Sequence, residues 1–131
     1  MLCTLSSTAN DSRASLSSLS PTDPFTVLSL FANVGFGEFY LKEHGFDVVV
    51  ANELLEDRVD FYKALHPETP HVICGDICEK STRESIVNAC KEVGPIDLII
   101  ATPPCQGMSI ANAQRSSDDI RNKLIVYAME L

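Results

Sequence analysis

The feature that most constrains this chain is a regular alternation, from Phe25 onward, of short apolar runs with amphipathic stretches, the pattern of strands exchanged with helices. Thr26-Val27-Leu28-Ser29-Leu30-Phe31, bounded by Pro24 before it and by Asn33 and Gly35 after it, predicts a buried strand. A helix is expected over residues 37–44, stopped by Gly45. Residues 47–52 predict a second strand, and Leu55, Val59, Tyr62 and His66 then recur at helical spacing until Pro67. His71-Val72-Ile73-Cys74 predicts a third, shorter strand that turns out through Gly75-Asp76. Ile86, Cys90 and Val93 mark one face of a further helix, expected to be capped by Ser81 or Thr82 and stopped by Gly94-Pro95. The run 96–101 is the most apolar in the chain and predicts a strand covered on both faces, ending in Thr102-Pro103-Pro104. After a polar stretch, Asp118 and Asp119 start a last helix carrying Leu124, Ile125, Tyr127 and Ala128, with the acids placed to suit its dipole.

Strands alternating with helices imply right-handed crossovers and a parallel sheet with helices on both faces, an α/β fold of Rossmann-like type built on about four strands. Residues 1–24, rich in Ser and Thr with few apolar side chains, read as a disordered tail. Residues 25–131 read as one catalytic-type domain. The formal charge of −8 argues against this chain alone gripping a nucleic-acid backbone. The sequence shows no apolar run of membrane-spanning length and no signal-peptide pattern, so a cytoplasmic location is expected. Five cysteines at irregular spacing do not read as a disulfide framework. Cys74 and Cys78 lack a second ligand pair, so no metal site is expected.

Ligands of parallel sheets sit beyond the carboxyl ends of the strands, where strand order reverses. After the first strand, Phe31-Ala32-Asn33-Val34-Gly35-Phe36-Gly37 offers small residues that let a ligand approach the backbone, although such a turn is equally often only a turn. Glu53, eighteen positions after Gly35, suits an acid that accepts hydrogen bonds from ribose hydroxyls. It would also suit the start of a helix. Asp76 could accept from a base amino group with Ile77 packed on the ring, or Asp76 could simply close an Asx turn. Directly after the fourth strand, two prolines fix a rigid turn that presents Cys105, a thiol placed to act as a nucleophile, with Gly107 permitting close approach. Cys74 and Cys90 fall within apolar strand and helix patterns and read as buried, inert thiols.

From about Val27 to its end the chain resembles the cytosine-5 DNA methyltransferases, with Pro103-Pro104-Cys105-Gln106-Gly107 the most specific piece. The resemblance implies S-adenosyl-L-methionine as cofactor and double-stranded DNA as substrate in the complete enzyme, in a restriction-modification setting. It assigns cofactor binding to Phe31, Ala32, Asn33, Gly35, Glu53, Leu54, Asp76, Ile77, Pro103 and Leu124. Catalysis falls to Cys105, and a mobile substrate loop takes Pro104, Gln106, Gly107 and Ser109. By this mapping the Cys105 thiolate adds to carbon 6 of a flipped-out cytosine, making carbon 5 nucleophilic towards the methyl group. Asn33 and Phe36 depart from the pattern, standing where the family usually has glycines.

The family's Glu-Asn-Val motif, its DNA-recognition region and its last cofactor segment have no counterpart in these 131 residues. The expectation is therefore an N-terminal portion or subunit that needs a complementing C-terminal chain or segment, and that leaves its fourth strand as an apolar sheet edge. The alternative is an inactive S-adenosylmethionine-binding module. An amino-group methyltransferase ranks behind, because Thr102 and Cys105 replace the Asp or Asn and the aromatic that such chemistry uses. A dinucleotide oxidoreductase ranks lower still, for want of a complete G-x-G-x-x-G.

Overall fold

The computed structural model describes residues 23–104 and 123–131. Its frame is a parallel sheet of four strands: β1 (Phe25–Leu30), β2 (Phe46–Glu53), β3 (His71–Cys74) and β4 (Leu98–Ala101), in the order β3-β2-β1-β4. Helices α1 (Glu56–Leu65) and α2 (Lys80–Val93) form the crossovers from β2 to β3 and from β3 to β4, and α3 (Leu124–Met129) lies at the end of the chain. The expected α/β class, parallel sheet and strand sequence are all present.

Alternation along the strands divides the core into two layers. Leu28 and Leu30 of β1 and Val50 of β2 pack with Ile86 and Ala89 of α2 and Ala128 of α3. On the opposite face Ala51 meets Tyr62 of α1 and Ala32 of the loop after β1. Each buried Leu, Ile or Val of the first cluster contributes about 1.5–3 kcal/mol by leaving water, which is what lets helices of modest intrinsic propensity persist.

Four expectations need correction. Residues 37–44 do not form an α-helix; they form two short 3₁₀ turns, Phe36–Glu38 and Lys42–His44. The reason is Glu38, whose buried carboxylate accepts hydrogen bonds from Ser29 on β1 and from Tyr62 on α1. That carboxylate ties the segment beneath the sheet, and Gly37 adds little helical preference of its own. Helix α2 is capped by neither Ser81 nor Thr82: Glu79 occupies the cap position and makes no side-chain cap bond there. Thr82 is buried, its Oγ1 only 2.6 Å from where a Cβ on Gly75 would stand. The last strand begins at Leu98 rather than residue 96, and it is not covered on both faces. Its place at the sheet edge is as expected, and Leu98 is 38% and Ile99 50% exposed. Finally, Cys74 is exposed, its Sγ pointing to Leu54 O at 3.6 Å, and Cys90 is only partly buried.

The expected Ser-rich tail over residues 1–22, and the polar stretch and helix start over residues 105–122, lie outside the described residues. Among the described residues no helix is long and apolar enough to cross a membrane.

Candidate functional site

Strand order reverses beside β1, because β2 pairs on one side of it and β4 on the other. At that end of the sheet a cleft of about 320 Å³ opens, lined from the ends of all four strands. β1 contributes Phe31 and Asn33, β2 contributes Asn52 and Glu53, and Leu54, Leu55 and Arg58 follow from the entry to α1. Gly75, Asp76 and Ile77 come from the turn after β3, Thr102 and Pro104 from the turn after β4, and Leu124 from α3.

The loop after β1 is held in an unusual backbone shape. Phe31 (φ 59°) and Asn33 (φ 55°) both occupy the left-handed region, which side chains other than glycine adopt at a cost, and such strain concentrates at ligand sites. Three hydrogen bonds fix the shape: Ala32 N–H donates to Asn52 O at 3.0 Å, Asn33 N–H to Glu53 Oε2 at 2.9 Å, and Thr102 Oγ1–H to Phe31 O at 3.1 Å. Glu53 is thus nearly buried and accepts from two backbone amides, the other being Leu55 N–H on Oε1 at 3.2 Å. Arg58 Nη1 stands 3.8 Å from the same oxygen, the cation partly in solvent. Glu53 thus supports the start of α1 and also borders the cleft.

Asp76 shows the same duality. Its Oδ1 accepts from Cys78 N–H at 2.9 Å, which is an Asx turn, and the residue lines the cleft. Ile77 is buried in the main core and reaches the cleft wall from there. Burial, followed by the hydrogen bond to Asp76, pushes the Cys78 thiol above its ordinary range, and burial alone does so for Cys90. Both stay protonated and poorly nucleophilic near neutral pH. Among the described residues no cluster of His, Cys, Asp or Glu is arranged to hold a metal ion.

Residues 25–131 match the C-5 cytosine-specific DNA methylase family. The chain belongs to that family. Type II methyltransferase M1.HgaI of Avibacterium volantium is 40% identical over 108 residues, a stretch covering 79% of this chain and 30% of that protein. Type II methyltransferase M.NgoPII of Neisseria gonorrhoeae is 38% identical over 107 residues, covering 80% and 29%. A solved E. coli structure, described as a DNA modification methyltransferase encoded within a prophage, superposes with a TM-score of 0.60 at 32% identity. That match covers 79% of this chain and 27% of the other. The chain thus spans less than a third of the length of these methylase relatives.

Of the positions that the methylase resemblance singles out, Phe31, Asn33, Glu53, Leu54, Asp76, Ile77, Pro104 and Leu124 come together on the cleft. Ala32, Gly35 and Pro103 are not part of its lining. Ala32 packs inward against Ala51 and Tyr62. Where a side chain would stand on Gly35, at φ 79°, the protein is already packed: a Cβ there would lie 2.4 Å from His66 Nε2 and 2.9 Å from Tyr62 Cε2. Cys105, Gln106, Gly107 and Ser109 lie outside the described residues, immediately beyond Pro104 at the cleft rim. Sequence reasoning passes over Asn52, Arg58 and Thr102 as cleft residues. Asn52 carried a usable signal, because a polar residue at the end of an apolar strand must find partners. Its Nδ2 donates to Ile73 O and Gly75 O, both at 3.1 Å, joining β2 to the turn after β3.

Proposed function

We propose that residues 25–131 form the cofactor-binding and nucleophile-bearing part of a DNA (cytosine-5-)-methyltransferase, with S-adenosyl-L-methionine held in the cleft at the strand ends. The observation that carries this reading is the convergence of Phe31, Glu53, Asp76, Ile77, Pro104 and Leu124, from the ends of different strands and from α3, on one cleft, with Cys105 next to Pro104 in the sequence. The donor set fits an adenosyl group. Phe31, Leu54, Ile77 and Leu124 offer apolar walls for a ring, while Glu53 retains lone pairs for two hydroxyls after its two amide bonds. Asp76 brings a second carboxylate to the same cleft. The volume, about 320 Å³, is at the small end of ordinary ligand pockets.

When bound, S-adenosylmethionine supplies an electrophilic methyl group on a sulfonium sulfur. The chain's own part is to hold it and to provide the thiol. Cys105 adds through sulfur to carbon 6 of cytosine, and the electron pair displaced to carbon 5 accepts the methyl group. Loss of the carbon 5 proton to a base then expels the thiolate and restores the ring. The two prolines before Cys105 restrict the backbone that leads into it. The family's acid for ring nitrogen 3 and its DNA-reading region have no counterpart among these 131 residues. With −8 charge the present residues do little to attract a phosphate backbone.

The test is covalent trapping. The chain, assembled with a segment that carries the Glu-Asn-Val motif, is incubated with S-adenosylmethionine and duplex DNA containing 5-fluorocytosine, whose fluorine blocks the final elimination. A protein–DNA adduct stable to denaturant, dependent on the cofactor and lost in Cys105→Ser, is expected. Cofactor binding with no adduct in any assembly would favour an inactive binding module instead.

A further inference from the structure

The turn that carries Asp76 and Ile77 is held from below by a single side chain outside the cleft. Arg83, one turn into α2, donates from Nη1 to Ile77 O and to Cys78 O, both at 2.7 Å. Its guanidinium also lies over the Tyr127 ring of α3, 4.7 Å from the centroid. Arg83 therefore joins two parts of the cleft wall that are distant in sequence: the turn after β3, and the helix whose first residue, Leu124, closes the cleft on another side. Charge-assisted bonds at this distance are strong, and a planar guanidinium can serve carbonyls and an aromatic face at once. Asp76 gains most from this. Its carboxylate is oriented by the Cys78 N–H, and Cys78 is the residue whose carbonyl Arg83 grips.

We propose that Arg83 is a positioning residue for the adenine end of the cofactor, setting the Asp76–Ile77 turn so that the carboxylate distinguishes a ring bearing an amino group from one bearing an oxo group. This rests on the cleft being the S-adenosylmethionine site. Arg83 touches no ligand itself, and its effect lies in selectivity as well as in affinity.

Calorimetric titration of the full chain with S-adenosylhomocysteine and S-inosylhomocysteine separates the possibilities. The wild type is expected to favour the adenosyl compound by roughly tenfold or more, the worth of one hydrogen bond to a charged acceptor. Arg83→Met, which keeps the apolar stem, should narrow that preference to within about twofold. It should also speed amide exchange at Cys78 and Glu79 in the ligand-free protein, because the turn loses its brace. Arg83→Lys, a point charge that cannot serve both carbonyls and the ring in the same geometry, should fall between. It also carries the test if Arg83→Met does not fold. A folded variant that weakens both compounds equally, with their ratio unchanged, would overturn the proposal and leave Arg83 a plain structural brace. A wild type that binds neither compound would overturn the cleft assignment, and Arg83's role with it.

Discussion

Gly35→Ala should destabilise the fold although it adds one methyl group and touches no predicted ligand. Gly35 sits at φ 79°, where an alanine Cβ crowds its own carbonyl, at a cost of about 1–2 kcal/mol. The same Cβ would meet His66 Nε2 at 2.4 Å and Cδ2 at 2.5 Å, well inside contact distance. His66 cannot step aside freely, because its Nε2–H donates to Gly35 O at 3.0 Å and its ring packs against Tyr62 with centroids 4.8 Å apart. Forced repacking of this kind costs about 1–3 kcal/mol, and the lower unfolded-state entropy of alanine returns only about 0.4–1 kcal/mol. The net expectation is a loss of about 1–5 kcal/mol, read as a fall of roughly 4 °C or more in the unfolding midpoint. Urea unfolding of four proteins decides the matter: wild type, Gly35→Ala, His66→Ala and the double variant. The Gly35→Ala cost should shrink in the His66→Ala background, since the two shortest contacts are removed while the backbone part and the Tyr62 contact at 2.9 Å stay. An equal cost in both backgrounds would mean that His66 is not the obstacle, and a neutral or stabilising Gly35→Ala would refute the whole account.

Glu53→Gln should weaken S-adenosylmethionine binding by roughly tenfold and cost about 1–2 kcal/mol of stability. The new amide must turn a donor towards Asn33 N–H or Leu55 N–H, and unchanged affinity by calorimetry would remove Glu53 from the site. Burial, reinforced by Glu38, raises the Tyr62 phenol far above its ordinary pKa. Its folded-state pKa exceeds the unfolded value, so the stability it contributes is present below pH ~10 and is lost as pH rises beyond that. Melting curves between pH 9 and 11, at roughly half-unit steps around the tyrosine range, should show a steep alkaline fall that is flatter in Tyr62→Phe. The same variant should be less stable at neutral pH by about 1–3 kcal/mol, because the Glu38 carboxylate keeps Ser29 as its only hydroxyl partner. Thr102→Val should loosen the loop after β1 by removing the bond to Phe31 O, and faster amide exchange at Ala32 and Asn33 is the expected readout.

Much of the fold was legible because β1, β2, β3 and α1 carry their periodicity openly. Runs such as Val48-Val49-Val50 and the Leu55, Val59, Tyr62 spacing depend only on local pattern. What stayed hidden was decided by contacts between distant residues. Nothing near Glu38 announces that its carboxylate will be buried, yet the Ser29 and Tyr62 hydroxyls draw it under the sheet and replace an expected helix with two 3₁₀ turns. Ser29 was the available clue, a hydroxyl in the middle of an apolar strand that had to find a partner. The start of β4 was hidden in a similar way. Asp97 looked like part of the apolar run, but its carboxylate accepts from Thr26 N–H at 2.8 Å and from Thr26 Oγ1–H at 3.0 Å, clipping the approach to the strand before regular pairing begins.

The site was more legible than the loop that builds it, and the sheet order explains why. In the order β3-β2-β1-β4 the chain leaves β1 towards β2 and β3, and then crosses to the other side of β1 for β4. The loops after β1 and β4 must part at that point, so the strand ends there are not roofed by a crossover. Residues standing just after the strands converge on that opening, which is how Glu53, Asp76 and Pro104 come to share it. Position within the loop after β1 does not follow from spacing. There the left-handed backbone at Phe31 and Asn33 alternates which residues face the cleft and which face α1, sending Phe31 and Asn33 outward and Ala32 and Gly35 inward. The departure at Asn33 from the family's usual glycine is thereby accommodated. Asparagine is among the residues that tolerate the left-handed region best, and the Asn33 N–H donates to Glu53 Oε2.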